Sequence, residues 1–367
     1  MLISRTLRLF LDSIGRREEY EFYLKKFQAE SSVCFALVAP DTAAVEQSGD
    51  LMTFDLQFLL RLELTPLLVL AGQDAIRNAR ELGAYGDYEI LADLSPHAAE
   101  ATWRTRLQAA YAKDRIPMLL LPETDPGTAI EALTPHIARR IHLLRVQGML
   151  RSPEGEKIFY HYTHRQNTHT LNPSDRPTVA LAENWLRHDP RLHISIASPL
   201  HLLQEMFTVR GMGSIIRPGS TIEHHTNLDA IDPVRLAALI QEAFRKPLRD
   251  PKSLSAASDL YLETRYRGAA ILEPHPAGKY LSKFAVGTEA RGEGLAQELW
   301  EEACAQQPAL FWRSRSDNPV NQWYERHAGG HHRADPWTIF WKGVQPEQLP
   351  DIIQYALTRP TDFADTP

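Results

Sequence analysis

The 367-residue sequence predicts an α/β chain in two parts, and three observations carry that reading. From Val33 to Ile196, short apolar runs alternate with helical patterns, the signature of a mostly parallel sheet. Around Gly211–Ser220 the pattern breaks, where Gly211, Gly213, Pro218 and Gly219 crowd together. Beyond the break, strands that look antiparallel precede a strand running into a glycine-rich helix start, an α+β plan. Two domains of ordinary size suit this length. The reading places a helical segment at 1–29, an α/β domain at 30–225 and an α+β domain at 226–367.

Each element has its own signal. Arg5–Phe27 is helical and interrupted at Gly15. In the α/β domain, strands are expected at Val33–Val38, Pro66–Ala71, Pro117–Leu121, Ile141–Val146 and Leu192–Ile196. Helices are expected at Phe54–Leu62, Ala75–Leu82, Ala98–Ala112, Thr128–Ala138 and Val179–Leu186. Ser152–Glu156 reads as a hairpin turn and His161–Arg176 as irregular. In the second domain, Asp232 before Pro233 starts a helix to Phe244. Strands follow at Asp259–Thr264, Gly268–Glu273 and Tyr280–Val286, then a helix at Gly292–Ala305. A strand at Ala309–Arg313, a helix at 318–326, a strand at Trp337–Trp341 and a helix at Leu349–Leu357 complete the domain.

Composition excludes several classes. Forty Lys and Arg against 46 Asp and Glu give a net charge of −6, unlike a dedicated nucleic-acid or anionic-membrane binder. The two cysteines, Cys34 and Cys304, stand alone, so neither a disulfide framework nor a thiolate zinc site is expected. No run approaches the ~18 apolar residues of a membrane-spanning helix. The first residues lack the apolar centre of a secretion signal, so the expected location is cytoplasmic. No metal site is expected either. His161, His164 and His169 fall in a polar loop, and His224-His225 and His331-His332 are adjacent pairs that do not converge on one ion. His224-His225 is read as interdomain linker.

Chemistry concentrates after residue 280. Phe284-Ala285-Val286 leads into Arg291-Gly292-Glu293-Gly294-Leu295-Ala296, a strand entering a helix whose first turn two glycines hold open. Free N–H groups and the helix dipole there form an anion cradle, and a diphosphate can approach backbone that carries no Cβ. Arg313 and Arg315, two apart on a strand, share one face, and Lys283 on a neighbouring strand adds a third cation. Two guanidinium forks on one face suit a dicarboxylate.

The loop matches the R-G-x-G-x-A/G pattern that grips the pyrophosphate of coenzyme A in the GNAT acetyltransferase superfamily. Leu310-Phe311-Trp312-Arg313-Ser314-Arg315-Ser316-Asp317-Asn318-Pro319-Val320-Asn321-Gln322-Trp323-Tyr324 resembles a motif of N-acetylglutamate synthases of the vertebrate-like type. Tyr280–Val286 and Trp337–Trp341 resemble two further strands of that family, in the right order. The resemblance implies a GNAT domain behind an amino-acid-kinase-like domain, with acetyl-CoA as co-substrate and no metal. It implies acetyl transfer to the α-amino group of L-glutamate by direct attack, with no acetyl-enzyme. Lys283, Arg313 and Arg315 would hold the glutamate carboxylates. Tyr324 would protonate the leaving sulfur, and Asn318 would position the amine or a water. Cys304 is read as a small buried hydrophobe.

The first domain resembles the kinase half of bifunctional synthase-kinases at Leu11–Phe27, Pro66–Leu70 and Met206–Ser214. Its phosphate machinery departs from the pattern. Leu37-Val38-Ala39-Pro40-Asp41 replaces K-x-G-G, and Leu70-Ala71-Gly72-Gln73 replaces H-G-A-G. Without the lysine and glycines a transferring phosphoryl group cannot be neutralised, so no kinase activity is expected. The family also implies a homo-oligomer, dimer or tetramer, and an L-arginine effector site near Arg210–Ser214. Two other readings remain: acetylation of aspartate or another amine, and a non-catalytic partner that binds arginine or a kinase.

Overall fold

The computed structural model describes residues 5–30, 33–134, 136–163, 170–208, 211–250, 254, 256–291 and 294–364. It divides into two compact units, Met1–Gly219 and Ser220–Pro367. The division falls ahead of the 225/226 boundary read from the sequence. The reason is that Ile222–His225 is a strand paired with Asp259–Glu263, so His224 and His225 lie in a sheet and not in a linker.

The strands of the first unit are β1 Ala36–Pro40, β2 Pro66–Ala71, β3 Tyr88–Ile90, β4 Ile116–Leu121, β5 Arg140–Leu144, β6 Tyr160–Tyr162, β7 His193–Ala197 and β8 Ser214–Arg217. The helices are α1 Arg5–Ile14, α2 Arg17–Glu30, α3 Thr42–Arg61, α4 Ala75–Leu82, α5 Glu100–Tyr111, α6 Pro126–Leu133, α7 Arg176–His188 and α8 Leu202–Phe207. The sheet runs β3-β4-β2-β1-β5-β7-β8-β6, parallel at every pair except β7 with β8. The expected mostly parallel sheet is therefore present. Strand β2 shows why its apolar run is continuous. Leu67 and Val69 enter one core beside Trp103, while Leu68 and Leu70 enter the other beside Met52 and Leu56. Helices cover both faces, so both sides of the pleat are apolar. The short β3, β6 and β8 escape sequence reading because three or four residues carry too little periodicity. Helix α3 starts earlier than expected because Asp41 caps it, its carboxylate accepting from Ala44 N at 2.7 Å.

Glu205 on α8 is buried and accepts from Met212 N and Gly213 N at 2.7 and 2.6 Å. Burial pushes its carboxyl up from 4.5 to about 7, against the pull of those two N–H groups. The folded state therefore keeps this proton to higher pH than the unfolded chain, so its contribution to stability is lost as pH rises from 4.5 through 7. His142, which burial pushes down to about 3, acts with the opposite sign below 6.5, so a matched variant is needed to isolate Glu205. Relative to the parent protein, Glu205→Gln should gain about 2 kcal/mol of unfolding free energy between pH 5 and pH 8. Urea melts at both pH values check it, and an unchanged difference would refute the assignment.

The second unit holds β9 Ile222–His225, β10 Asp259–Glu263, β11 Gly268–His275, β12 Gly278–Val286, β13 Leu310–Arg315, β14 Gly330–Ala334 and β15 Trp337–Lys342. Its helices are α9 Pro233–Phe244, α10 Leu295–Gln306, α11 Asn321–His327 and α12 Leu349–Thr358. The order is β14-β15-β13-β12-β11-β10-β9, antiparallel except for the central β12–β13 pair. One face packs Tyr261, Leu272 and Trp312 beneath Leu295, Leu299 and Trp300 of α10 and Tyr324 of α11. The other packs Leu260, Ile271 and Phe311 against α9 and α12.

A Cβ on Gly268 would sit 2.8 Å from methyl carbons of both Leu295 and Leu299, so this glycine sets how closely α10 lies on the sheet. Gly268→Ala should cost about 1–3 kcal/mol by overpacking. A thermal melt checks this, and a melting temperature equal to the parent's would show that the leucines simply turn aside.

Candidate active site

The central strands part company. β12 and β13 pair only at Lys279–Leu310 and Tyr280–Phe311, and no further rung between them is found among the described residues. From Leu281 to Val286 the edge of β12 that faces β13 is without a strand partner among the described residues, which leaves its backbone donors and acceptors outside the ladder. Past Val286 come a short turn at Thr288–Ala290, Arg291 in extended conformation, and Gly294 with φ +82° as the N-cap of α10. The helix thus begins at Leu295 and not at Gly292, because Gly294 takes the left-handed conformation that ends the loop. Gly292 and Glu293 lie outside the described residues. Leu295 is fully buried, and Ala296 follows it in the first turn. Along this stretch of β12, Phe284 stacks on Trp323 at 5.7 Å while Ala285 turns to the opposite core, as strand alternation requires.

Tyr324 packs against Trp312 and Phe340, with ring centroids at 5.3 and 5.5 Å. Burial raises its phenol well above the ordinary range, so it stays protonated at neutral and mildly alkaline pH. Around it, Trp300 Nε1, Trp312 Nε1, Ser314 Oγ and Asn321 Oδ1 are buried with no hydrogen-bond partner among the described residues. Four polar atoms without a partner among the described residues thus gather in this region of the domain. Asn318 is placed differently. It is exposed, its carboxamide oxygen accepts from Val320 N at 3.2 Å, and it makes no hydrogen bond to Tyr324.

Arg313 and Arg315 share a face, as their spacing predicts, and both stack on Trp337, at 4.2 and 4.6 Å. Their partners differ. Arg313 donates to the main-chain oxygens of Ala356, Arg359 and Pro360 at 2.7, 2.6 and 2.9 Å, closing the end of α12. Arg315 is exposed and lines an open cavity of about 580 Å³ with Lys246, Arg333, Asp317 and Asp335. Lys283 is only 3% exposed, bonded to Ser282 Oγ and ion-paired with Asp362. Burial lowers its ammonium, and Asp362 partly restores it. Lys283 and Arg313 both feel Asp362, and Arg315 lies beside Arg313 on Trp337, but the three cations are not equally available, which the spacing did not reveal.

The sequence reading gave no role to five residues that the fold engages here: Asn321, Asp362, Arg359, Glu273 and His224. Asn321 Nδ2 donates to the Arg315 and Ser316 carbonyls at 2.7 and 3.3 Å, fixing the turn beyond β13. It could have been found as the second asparagine of the motif. Asp362, and the ion pair of Arg359 with buried Glu273, carry no local signal. His224 stacks on Tyr261 at 4.5 Å and pairs with Asp259 at 2.9 Å. No group of three or more potential metal ligands occurs among the described residues.

A mixed sheet parted between its two parallel central strands, with a helix opening behind a glycine turn, defines an acetyltransferase-type α+β domain. It follows an α/β domain built on a mostly parallel eight-stranded sheet. Residues 223–358 match the family model described as NAT, N-acetyltransferase, of N-acetylglutamate synthase. The chain is 34% identical over 216 residues to the mitochondrial N-acetylglutamate synthase of Danio rerio, covering 52% of this chain and 40% of that protein. It is 25% identical over 416 residues to an acetylglutamate kinase of Xanthomonas campestris, covering 93% of this chain and 98% of that one. A solved N-acetylglutamate synthase from Neisseria gonorrhoeae, complexed with coenzyme A and N-acetyl-glutamate, aligns at 14% identity and a TM-score of 0.46, covering 89% of this chain and 98% of that one. The match thus spans less than half the length of the Danio rerio relative. The resemblance read from the motifs is borne out by the family model and by the synthase match.

Proposed function

We propose that the protein transfers acetyl from acetyl-CoA to the α-amino group of L-glutamate. The observation that carries this reading is the parting of β12 and β13 directly before the N-terminus of α10. The parted edge of β12 offers backbone hydrogen bonds to an extended thioester arm. The turn at Gly294 and the first N–H groups of α10 would hold the pyrophosphate. Tyr324 stands on one face of the sheet, and Lys283, Arg313 and Arg315 stand on the other. The gap between the strands links the two faces, so an amine held by its carboxylates from one side meets the thioester there. Tyr324 would donate its proton to the departing sulfur, and water excluded by Trp300, Trp312 and Phe340 leaves that proton no competing acceptor.

β1 ends in Val38-Ala39-Pro40-Asp41 and β2 runs into Gly72-Gln73, so neither strand end supplies a lysine for phosphoryl transfer. The first unit is read as an assembly scaffold of a cytoplasmic homo-oligomer with an L-arginine effector. Sedimentation of the purified protein tests the assembly. The decisive measurement is CoA release with L-glutamate, L-aspartate and L-ornithine, repeated with L-arginine. Saturable turnover with glutamate supports the proposal, and turnover only with another acceptor redirects it. Silence across the panel with CoA still bound leaves the non-catalytic partner.

A further inference from the structure

Two of the three cations assigned to the acceptor carboxylates are engaged by one segment of this chain, Arg359–Ala364. Asp362 is ion-paired with Lys283 through Oδ2. Arg313 takes the Ala356, Arg359 and Pro360 carbonyls. The segment is anchored on either side of Asp362. Arg359 holds the Glu273 carboxylate at 2.5 and 2.6 Å and donates to Tyr355 Oη at 2.8 Å. Phe363 packs on Phe244 at 4.7 Å and lies 5.7 Å from Lys283 Nζ. Arg249 donates from its backbone to Asp362 O at 2.9 Å and from Nε to Phe363 O at 3.0 Å. Asp362 itself spans no core and caps no helix. Its carboxylate does what a substrate carboxylate would do at Lys283.

We infer that Asp362 is an internal carboxylate ligand of the acceptor site, which an incoming amino acid must displace with a carboxylate of its own. The inference rests on the acetyltransferase reading and adds a selectivity device to it. An acceptor with a carboxylate placed to reach Lys283 recovers the ion pair it breaks. An amine lacking one would leave a buried ammonium unpaired, an unfavourable exchange. The segment therefore screens acceptors by charge and weakens the binding of every acceptor by the fraction of time it is closed.

The experiment uses the full chain with Asp362→Asn and Asp362→Ala, leaving the Arg359 and Phe363 anchors in place. With the segment closed about nine times in ten, the KM for glutamate should fall about tenfold in both variants. The kcat and the KM for acetyl-CoA should not change. Titration with glutarate, a dicarboxylate with no amine to acetylate, gives a readout independent of turnover, and the variants should bind it about tenfold more tightly. A raised glutamate KM, a collapsed kcat in a protein that melts normally, or unchanged glutarate affinity would each overturn the inference, making Asp362 a support for Lys283. A parent protein that binds glutarate but turns over no amino acid would fail the acetyltransferase reading alone. A parent and variants that bind no glutarate fail the inference.

Discussion

Tyr324→Phe should lower kcat by about 10²–10³-fold while leaving CoA affinity and the glutamate KM within about twofold. Phenylalanine keeps the ring contacts with Trp312 and Phe340, so only the hydroxyl is removed. That hydroxyl makes no hydrogen bond to a described residue, so its loss leaves no partner stranded. The loss of rate should be the same from pH 7 to 9, because burial holds the phenol protonated throughout. Steady-state kinetics and a CoA-binding titration check both parts. A kcat within threefold of the parent's would remove Tyr324 from the chemistry and pass the proton to solvent.

Arg313 and Arg315 should separate when each is changed to alanine. Arg315→Ala should raise the glutamate KM by about 10²-fold with no change in melting temperature. Its side chain is exposed and makes no hydrogen bond to a described residue, whereas a charge-assisted bond to a substrate carboxylate contributes about 1.5–3 kcal/mol. Arg313→Ala should destabilise the second unit by about 2–4 kcal/mol, because three carbonyls at the end of α12 lose a charged donor at once. Any loss of activity in that variant then mixes unfolding with substrate binding. Thermal melts beside kinetics resolve the two. Equal melting temperatures for both variants would show that the α12 contacts carry no stability, and an unaltered KM in Arg315→Ala would leave the acceptor unassigned.

Much was legible in the chain itself, because the relevant signals are local. The apolar run Pro66–Ala71 gave a strand with the expected ends, since a doubly covered parallel strand must be apolar at successive positions. Asp232 before Pro233 announced α9 through its capping bonds to Val234 N and Arg235 N. The arginine pair fell on one face because strand side chains alternate, and Trp337 under both shows it. Tyr324 followed from the motif, and the sulfur-donor role assigned to it stays part of the proposed function.

Lys283 was decided by tertiary structure. Simple alternation along β12 puts Lys283 on the face of Leu281, beneath α10. The pairing slips by one residue, with Ile271 opposite Lys283 and Leu272 opposite Leu281, so Ser282 is the extra residue of a bulge. That bulge turns Lys283 to the other face, where Asp362 waits 79 residues along the chain. A bulge is set by the partner strand, and an ion pair between residues so far apart by the path of the whole domain. Neither leaves a period or a spacing to read. The sequence nominated the residues to which the chemistry is assigned, while the availability of each cation was settled by backbone carbonyls and a carboxylate that only folding brings near.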